Sequence, residues 1–448
     1  MKRILFCIIS FVFLTNLLNA EKYYSKQKLM ADIDTLYASI HEIHVNMFAN
    51  ISKPDFEKEL DRIKLQLKDS MTKIDFYEKL APLVERLGDG HTSLLFPYEV
   101  LKKENLRFFP LDVEINYKDS SVIVVHDYSE SDNRIPSGAI ITTINHKPIS
   151  ILVGHMFHYI SGERTFFKAE ELKNRFTPLL YTLYKDTIFT IQYRYKNKLL
   201  SNIQPGISYS KRYDKKTSSE QKVNNYTLFI DDNTKIATIE FNSFTNLPRF
   251  QKFIDSAFVV IKQQHVNDLI IDIRRNGGGN SRLGDEFFQY ISHVPFTQFG
   301  KSIVNNSRKR VEYFKSFYSD TITDAIGLKE YNNTTLNQLR ENKNRYQGNT
   351  FLLISHQTFS SAACFSWAFK YFKMGTTVGE ESGGLAVCFG DMIAQVLPNT
   401  QLKFGISHKK FYQYGATDND HTGTIPDFIV PEKNAFIFTT ELIKKRKD

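Results

Sequence analysis

From Leu29 the apolar positions Leu29, Ile33, Leu36, Ile40 and Ile43 step by four and three, the spacing of one face of an amphipathic helix. Ser52-Lys-Pro-Asp then supplies an N-cap, a first-turn proline and an acid at the positive end of a second helix, whose inward positions are Phe56, Leu60, Ile63 and Leu67. A third run, Phe76, Leu80, Leu83 and Leu87, repeats the pattern and stops at Gly88-Asp-Gly-His-Thr. Residues 21–105 are therefore expected to form an N-terminal helical domain. Between residues 106 and 205 the period changes to short β-type runs, including Leu111-Asp-Val-Glu-Ile, Val122-Ile-Val-Val and Phe189-Thr-Ile-Gln-Tyr, separated by turn residues. Ser201 to Asn225 is polar and reads as an exposed linker, placed at residues 206–225. From 226 to 448, β-runs alternate with helical periods: Ile236-Ala-Thr-Ile-Glu-Phe, a helix from Phe250 to Gln264, the strands at Leu269 and Phe351, and a helix from Ala362 to Phe372. That alternation predicts an α/β core on a largely parallel sheet.

The first twenty residues break both patterns. Lys2 and Arg3 lead an apolar run from Ile4 to Leu18 that ends at Asn19-Ala20, the layout of a signal peptide, and it is shorter than the ~20 residues that a bilayer core requires. Cleavage after Ala20, with export to a periplasm or beyond the cell, is the expectation. Removal of Lys2 and Arg3 lowers the net charge from +9 to +7, and Cys7 leaves with them. Cys364 and Cys388 then remain, and sequence does not fix whether they pair. The basic residues are scattered apart from the tail Lys444, Lys445, Arg446 and Lys447, so no stripe for nucleic acid is seen. At 448 residues, with 42% hydrophobic and 24% charged positions, the chain has enough apolar surface for two or three folded domains.

Four segments carry candidate chemistry. Phe351-Leu-Leu-Ile-Ser-His-Gln-Thr-Phe-Ser-Ser-Ala-Ala runs from strand through turn to helix, with Ser360 and Ser361 at the helix start. A serine there commonly caps the helix, but the same free amides and positive dipole end would stabilise an oxyanion beside an attacking hydroxyl. Asp272-Ile-Arg-Arg-Asn-Gly-Gly-Gly ends a buried strand in three contiguous glycines, Gly277, Gly278 and Gly279. Such a run lets amides approach a ligand without Cβ obstruction, and it lacks the spacing of a dinucleotide fingerprint. Asp89-Gly-His-Thr offers His91 as the base that a serine nucleophile needs. Asp418-Asn-Asp-His-Thr-Gly-Thr-Ile-Pro-Asp is rich in acids fit to orient an imidazole. Neither H-E-x-x-H nor paired C-x-x-C spacing occurs, so no metal is expected.

In this order the four segments resemble those of the C-terminal processing (tail-specific) serine peptidases, in their tricorn-core-like branch. The resemblance implies a crotonase/ClpP-like α/β catalytic core, and it makes residues 106–205 a PDZ-like domain, with Ile135-Pro-Ser-Gly-Ala-Ile-Ile-Thr-Thr-Ile-Asn as its turn and strand. The stretch 151–185 reads as an insertion in that domain. It further implies Ser361 as nucleophile, His91 as general base and Asp420 as acid, with Asp418 close by. Gly278, Gly277 and Ala362 would form the oxyanion hole, and Gly279 and Ser360 would contact substrate. The lysine of the family's Ser-Lys branch has no counterpart in Gly379-Glu-Glu-Ser-Gly-Gly-Leu. Peptides or proteins are the implied substrates and no cofactor is needed; oligomeric state is left open. The rivals are a peptide-binding protein without chemistry and an acyl-CoA enzyme, the latter opposed by the signal peptide.

Overall fold

The computed structural model describes residues 22–103, 105–213, 224–316, 325–333 and 335–446. The expected signal peptide at residues 1–20, with Cys7, and positions 214–223 of the expected linker lie outside them. The three N-terminal helices run Lys26–Ile43, Lys53–Gln66 and Lys73–Glu85. Ser52 caps the second by accepting from the Asp55 amide, and Thr72 with Asp75 forms a reciprocal capping box on the third. These helices do more than bundle with one another. Asp32, buried on the first, accepts hydrogen bonds from the amides of Asn399 and Thr400 and from the Thr400 hydroxyl. One apolar cluster then joins Leu29 and Ile33 to Ile393, Phe404 and Ile406. The N-terminal segment is thereby fastened to the C-terminal half.

The β-rich unit is an antiparallel sheet of Leu111–Ile115, Val122–Asp127, Ile140–Ile144, Ile188–Tyr195 and Lys198–Pro205, paired in chain order. Asn145 and His146, at φ 47° and 65°, make the tight turn after the third strand. The stretch expected as an insertion is two helices, Ile149–Phe157 and Thr165–Tyr184. The second of them buries Leu172, Phe176 and Leu179 in the same cluster as Leu111 and Phe189. The polar run from Ser201 begins inside a strand, because Lys198–Pro205 pairs on one side only and leaves most of its side chains in water.

The core sheet has the order Tyr226–Asp231, Ile236–Phe241, Asp268–Asp272, Asn349–Ile354, Thr376–Gly379 and Phe428–Ile429. Its first pair is antiparallel and the others are parallel. Buried apolar residues alternate between its faces. Ile271 and Leu352 meet Phe250, Phe287 and Phe365 from the helices Leu247–Gln263, Arg282–Ile291 and Ser361–Tyr371. Ile270 and Leu353 meet Ala435 and Ile443 of the helix Glu432–Lys445 on the other face. A second, antiparallel sheet of Gly327–Asn332, Phe299–Asn306, Lys403–Gln413 and Val387–Val396 has no counterpart in the sequence reading. It matters for the site, because Ser93-Leu94 pairs with Phe404-Gly405 and so lays the loop carrying His91 against the core.

Candidate active site

The site lies where the parallel strands Asp268–Asp272 and Asn349–Ile354 end, the position at which open α/β sheets place ligands. Thr358 builds the turn after the second strand: its hydroxyl donates to the Ile273 carbonyl and accepts from the Ser355 amide, both at 3.0 Å. The Phe359 amide donates to the Asn276 carbonyl at 3.1 Å. Held between these bonds and the helix Ser361–Tyr371, Ser360 adopts φ 52° and ψ −128°. That conformation costs a non-glycine residue of order 1–3 kcal/mol and persists only where the surroundings impose it. It aims the hydroxyl away from the helix axis and out of the capping role, since Ser360 caps no amide of the helix.

His91 receives that hydroxyl: its Nε2 lies 3.0 Å from Ser360 Oγ. Ser361, expected as the nucleophile, points elsewhere and donates its hydroxyl to the Gly279 carbonyl at 2.5 Å. The two adjacent serines thus stand opposite to the expectation, with Ser360 against His91 and Ser361 tying helix to glycine run. A one-residue shift follows for the amides. Ala362 N–H donates to the Phe359 carbonyl and is unavailable, whereas the Ser361 amide has no partner among the described residues. Gly278, at φ 96°, packs directly under the turn, where an added Cβ would come within 2.7 Å of Ser360 Cβ and 2.8 Å of Ser361 N. Its own N–H is taken by Asn276 Oδ1 at 2.9 Å. Gly279 lines the cavity in front of Ser360, and Gly277 has open space beside it.

The acids of the C-terminal motif stand apart from this centre. Asp420 accepts from the amide and hydroxyl of Thr417 in a local turn. Asp418 accepts from Lys410 Nζ and Tyr412 Oη, each at 2.7 Å. Neither carboxylate orients His91, because each is spent on its own loop and sheet surface. The carboxylate that does lie beside His91 is Asp89, two residues away and fully buried. Asp89 Oδ1 accepts from the His91 amide at 2.9 Å and sits 4.0 Å from His91 Nδ1. Its Oδ2 accepts from Ser407 Oγ at 2.6 Å and faces His44 Nε2 at 3.2 Å. The Asn46 amide donates to His44 Nδ1, which leaves the ring proton on Nε2 and makes His44 a donor to Asp89.

Burial opposes the ionisation of Asp89, yet the His44 hydrogen bond, the pull of the two neighbouring imidazoles when protonated and the Ser407 hydroxyl hold its carboxyl well below the usual range. Burial lowers His91 from its ordinary value, against the pull of the Asp89 charge, so the imidazole is neutral and able to accept a proton near pH 7. Its Nδ1 is buried with no close hydrogen bond among the described residues, although the Phe389 backbone favours its protonated form, and its ring stacks on Phe359 with centroids 4.7 Å apart. Phe359 stood inside the quoted strand–turn–helix segment without a role, whereas His44 and Ser407 escaped the sequence reading. No motif marks them, and Ser407 reaches Asp89 across 318 positions.

A cavity of about 620 Å³ opens in front of the Ser360–His91 pair, with Phe299, Phe389, Met392 and Phe411 among its walls and Arg282 and Lys409 among its polar lining. Cys364 and Cys388 also line it, both as free thiols. Among the described residues no group of three or more His, Cys, Asp or Glu is placed to hold a metal ion, and no helix is long and apolar enough to cross a membrane.

Residues 235–430 match the family model described as Peptidase family S41. Among solved structures, mature CPAF aligns over 94% of this chain and 96% of its own at 11% identity, with a TM-score of 0.62. Mature CPAF complexed with lactacystin aligns over 94% and 98% at 11% identity, with a TM-score of 0.63. The photosystem II D1 C-terminal processing protease aligns over 90% and 94% at 12% identity and a TM-score of 0.45. At such identities the CPAF likeness establishes a shared fold. None of the curated proteins compared with the chain matches it.

Proposed function

We propose that the chain is a serine-type peptidase, a reading supported by the match of residues 235–430 to Peptidase family S41, in which Ser360 attacks the peptide carbonyl, His91 takes its proton and Asp89 orients the imidazole. The observation that carries this reading is the 3.0 Å approach of His91 Nε2 to a serine held in a strained turn. His91 Nε2 accepts the Ser360 proton as Oγ bonds to the carbonyl carbon, and later returns it to the departing amine. The negative charge of Asp89 favours the imidazolium that forms in between. The free Ser361 amide faces the oxyanion, a contribution of about 2.7–4 kcal/mol per donor in comparable sites, and Gly278 serves by its lack of a Cβ under the turn. Water then hydrolyses the acyl-enzyme with His91 again as base.

His91 must be neutral to act, and burial has lowered it, so activity persists on the acid side until the pH falls through that lowered value. The acid limb of kcat/KM for peptide cleavage is therefore expected below the ~6.5 of a free imidazole. A limb centred above that value would show that another group is the base. In the same reading the β-rich unit of residues 106–205 is a PDZ-like module that docks peptide C-termini. Substrates are accordingly compared as free carboxylates and C-terminal amides, and equal rates for the two would remove that part of the reading. Export is supported by the apolar run Ile4–Leu18 ending at Asn19-Ala20. Sequencing of the mature N-terminus is expected to begin at Glu21, and a start at Met1 would overturn it.

A further inference from the structure

Outside the site's own hydrogen bonds, Glu163 is a group whose cost calls for a reason. It stands in the connection between the helices Ile149–Phe157 and Thr165–Tyr184 of the β-rich unit. Both carboxyl oxygens are buried with no close hydrogen bond among the described residues, and the donors that face them are the backbone N–H groups of Gly90 and of Glu163 itself. The nearby cations are committed elsewhere, Arg164 to Glu381 and Lys168 to Glu85. What Glu163 meets is the His91 loop, where a Cβ built on Gly90 would lie 3.1 Å from Glu163 Oε2 and 2.8 Å from Phe359 Cζ. From the same segment Phe167 stacks on Phe359 with centroids 4.2 Å apart, and Phe359 stacks on His91 at 4.7 Å. A Cβ on Gly383 would come within 2.8 Å of the Phe167 ring, so residues 163–167 are seated tightly in the core domain.

We propose that Glu163 is a positioning residue: reaching over from the β-rich unit, its carboxyl fills the space under Gly90 and, with the Phe167–Phe359–His91 ring stack, holds His91 at Ser360. The inference rests on the reading of His91 and Ser360 as base and nucleophile. It makes the catalytic loop of the peptidase domain dependent on the docking of a different unit of the chain. Burial and the charge of Asp89 push Glu163 up to about 8, against the backbone N–H groups of Gly90 and Glu163, so its carboxyl is neutral at pH 7 and tolerated in its buried place. The titratable groups facing it are Asp89 on the loop and Cys388 on the adjoining strand. Ionisation above that pH places a second buried negative charge beside Asp89 and works against the packing of the loop.

The test compares the full mature chain with Glu163→Gln and Glu163→Ala in two measurements: the rate of serine labelling by a fluorophosphonate from about pH 6 to about pH 10, and amide hydrogen exchange in peptides covering residues 88–94. The parent is expected to lose labelling rate above about pH 8, and Glu163→Gln, a neutral isostere, to keep the parent rate at pH 7 and to lose the alkaline fall. Glu163→Ala is expected to label about 10²-fold more slowly, as misplaced catalytic groups do, and to exchange about tenfold faster across residues 88–94. An alkaline fall retained in Glu163→Gln, or Glu163→Ala indistinguishable from the parent in both measurements, overturns the proposal. If the parent itself does not label at any pH, the nucleophile reading fails. Exchange then decides alone, with faster exchange in Glu163→Ala supporting the positioning role and unchanged exchange ending it.

Discussion

Ser360→Ala is expected to lose peptide turnover by about 10⁴-fold or more, while Ser361→Ala, one position along, keeps turnover within about tenfold of the parent. The asymmetry follows from where each hydroxyl goes. Ser360 Oγ is the atom against His91 Nε2, and without it no acyl-enzyme forms. Ser361 contributes its amide to the site, which alanine retains, and its hydroxyl only to the Gly279 carbonyl. Loss of that bond costs about 0.5–1.5 kcal/mol of local stability and a slight loosening of the glycine run. The comparison is made as kcat/KM on one peptide, with melting curves to confirm that both variants fold. Ser360→Ala should melt as the parent does, because the residue keeps its Cβ and loses a single partly exposed hydrogen bond.

Asp89→Asn is expected to cost about 3–5 kcal/mol of stability at pH 7 and about 10⁴-fold in turnover, the loss that follows when the orienting carboxylate of a serine triad is neutralised. The residue has no exposed surface, and two donors converge on its Oδ2: the Ser407 hydroxyl and His44 Nε2–H. An amide nitrogen in that position meets donors with a donor. His44 cannot relieve the clash by changing tautomer, since the Asn46 amide already occupies its Nδ1. If the amide turns over instead, its nitrogen faces the His91 N–H that Asp89 Oδ1 now accepts. The sign with pH is definite. A carboxylate held below its unfolded value stabilises the fold fully above about pH 4 and loses that contribution as the pH falls through the lowered value. The stability difference between parent and Asp89→Asn should therefore be full at pH 7 and shrink toward strong acid, as read from urea unfolding over that range.

The periodic elements were legible because their signals are local. The apolar faces beginning at Leu29 and Phe56, the Ser52 cap and the buried strand at Leu269 depend on neighbours within a few positions, and the folded helices and strands match them closely. The antiparallel sheet around Lys403–Gln413 escaped because its strands lack a clean in-and-out alternation, with a continuous buried run from Phe404 to His408, and because its pairing with Phe299–Asn306 spans a long separation. The stretch 151–185 looked foreign to a small β-rich domain, yet it supplies the helix that covers the sheet and the segment that reaches His91.

At the site, the sequence reading and the folded geometry differ within two of the loops it brought forward: Ser360 rather than Ser361 stands at His91, and Asp89 rather than Asp420 stands beside it. Two neighbouring serines differ by one residue in the chain and by the partner to which each hydroxyl is turned. The positive φ that separates their roles is carried by Ser360 rather than by a glycine, so composition does not announce it. The resemblance pointed to an acid near Gly423, whereas the carboxylate beside His91 is that of Asp89, inside the histidine motif itself. What marks Asp89 is its burial with His44 and Ser407, contacts spanning 45 and 318 positions that no local pattern can convey.

The measurement closest to the central claim is peptide mapping by tandem mass spectrometry after a fluorophosphonate has reacted with the mature chain. The account requires the adduct on Ser360, with none formed when His91 is replaced by alanine. An adduct on Ser361, or one on Ser360 that survives His91→Ala, would contradict the assignment of an activated Ser360.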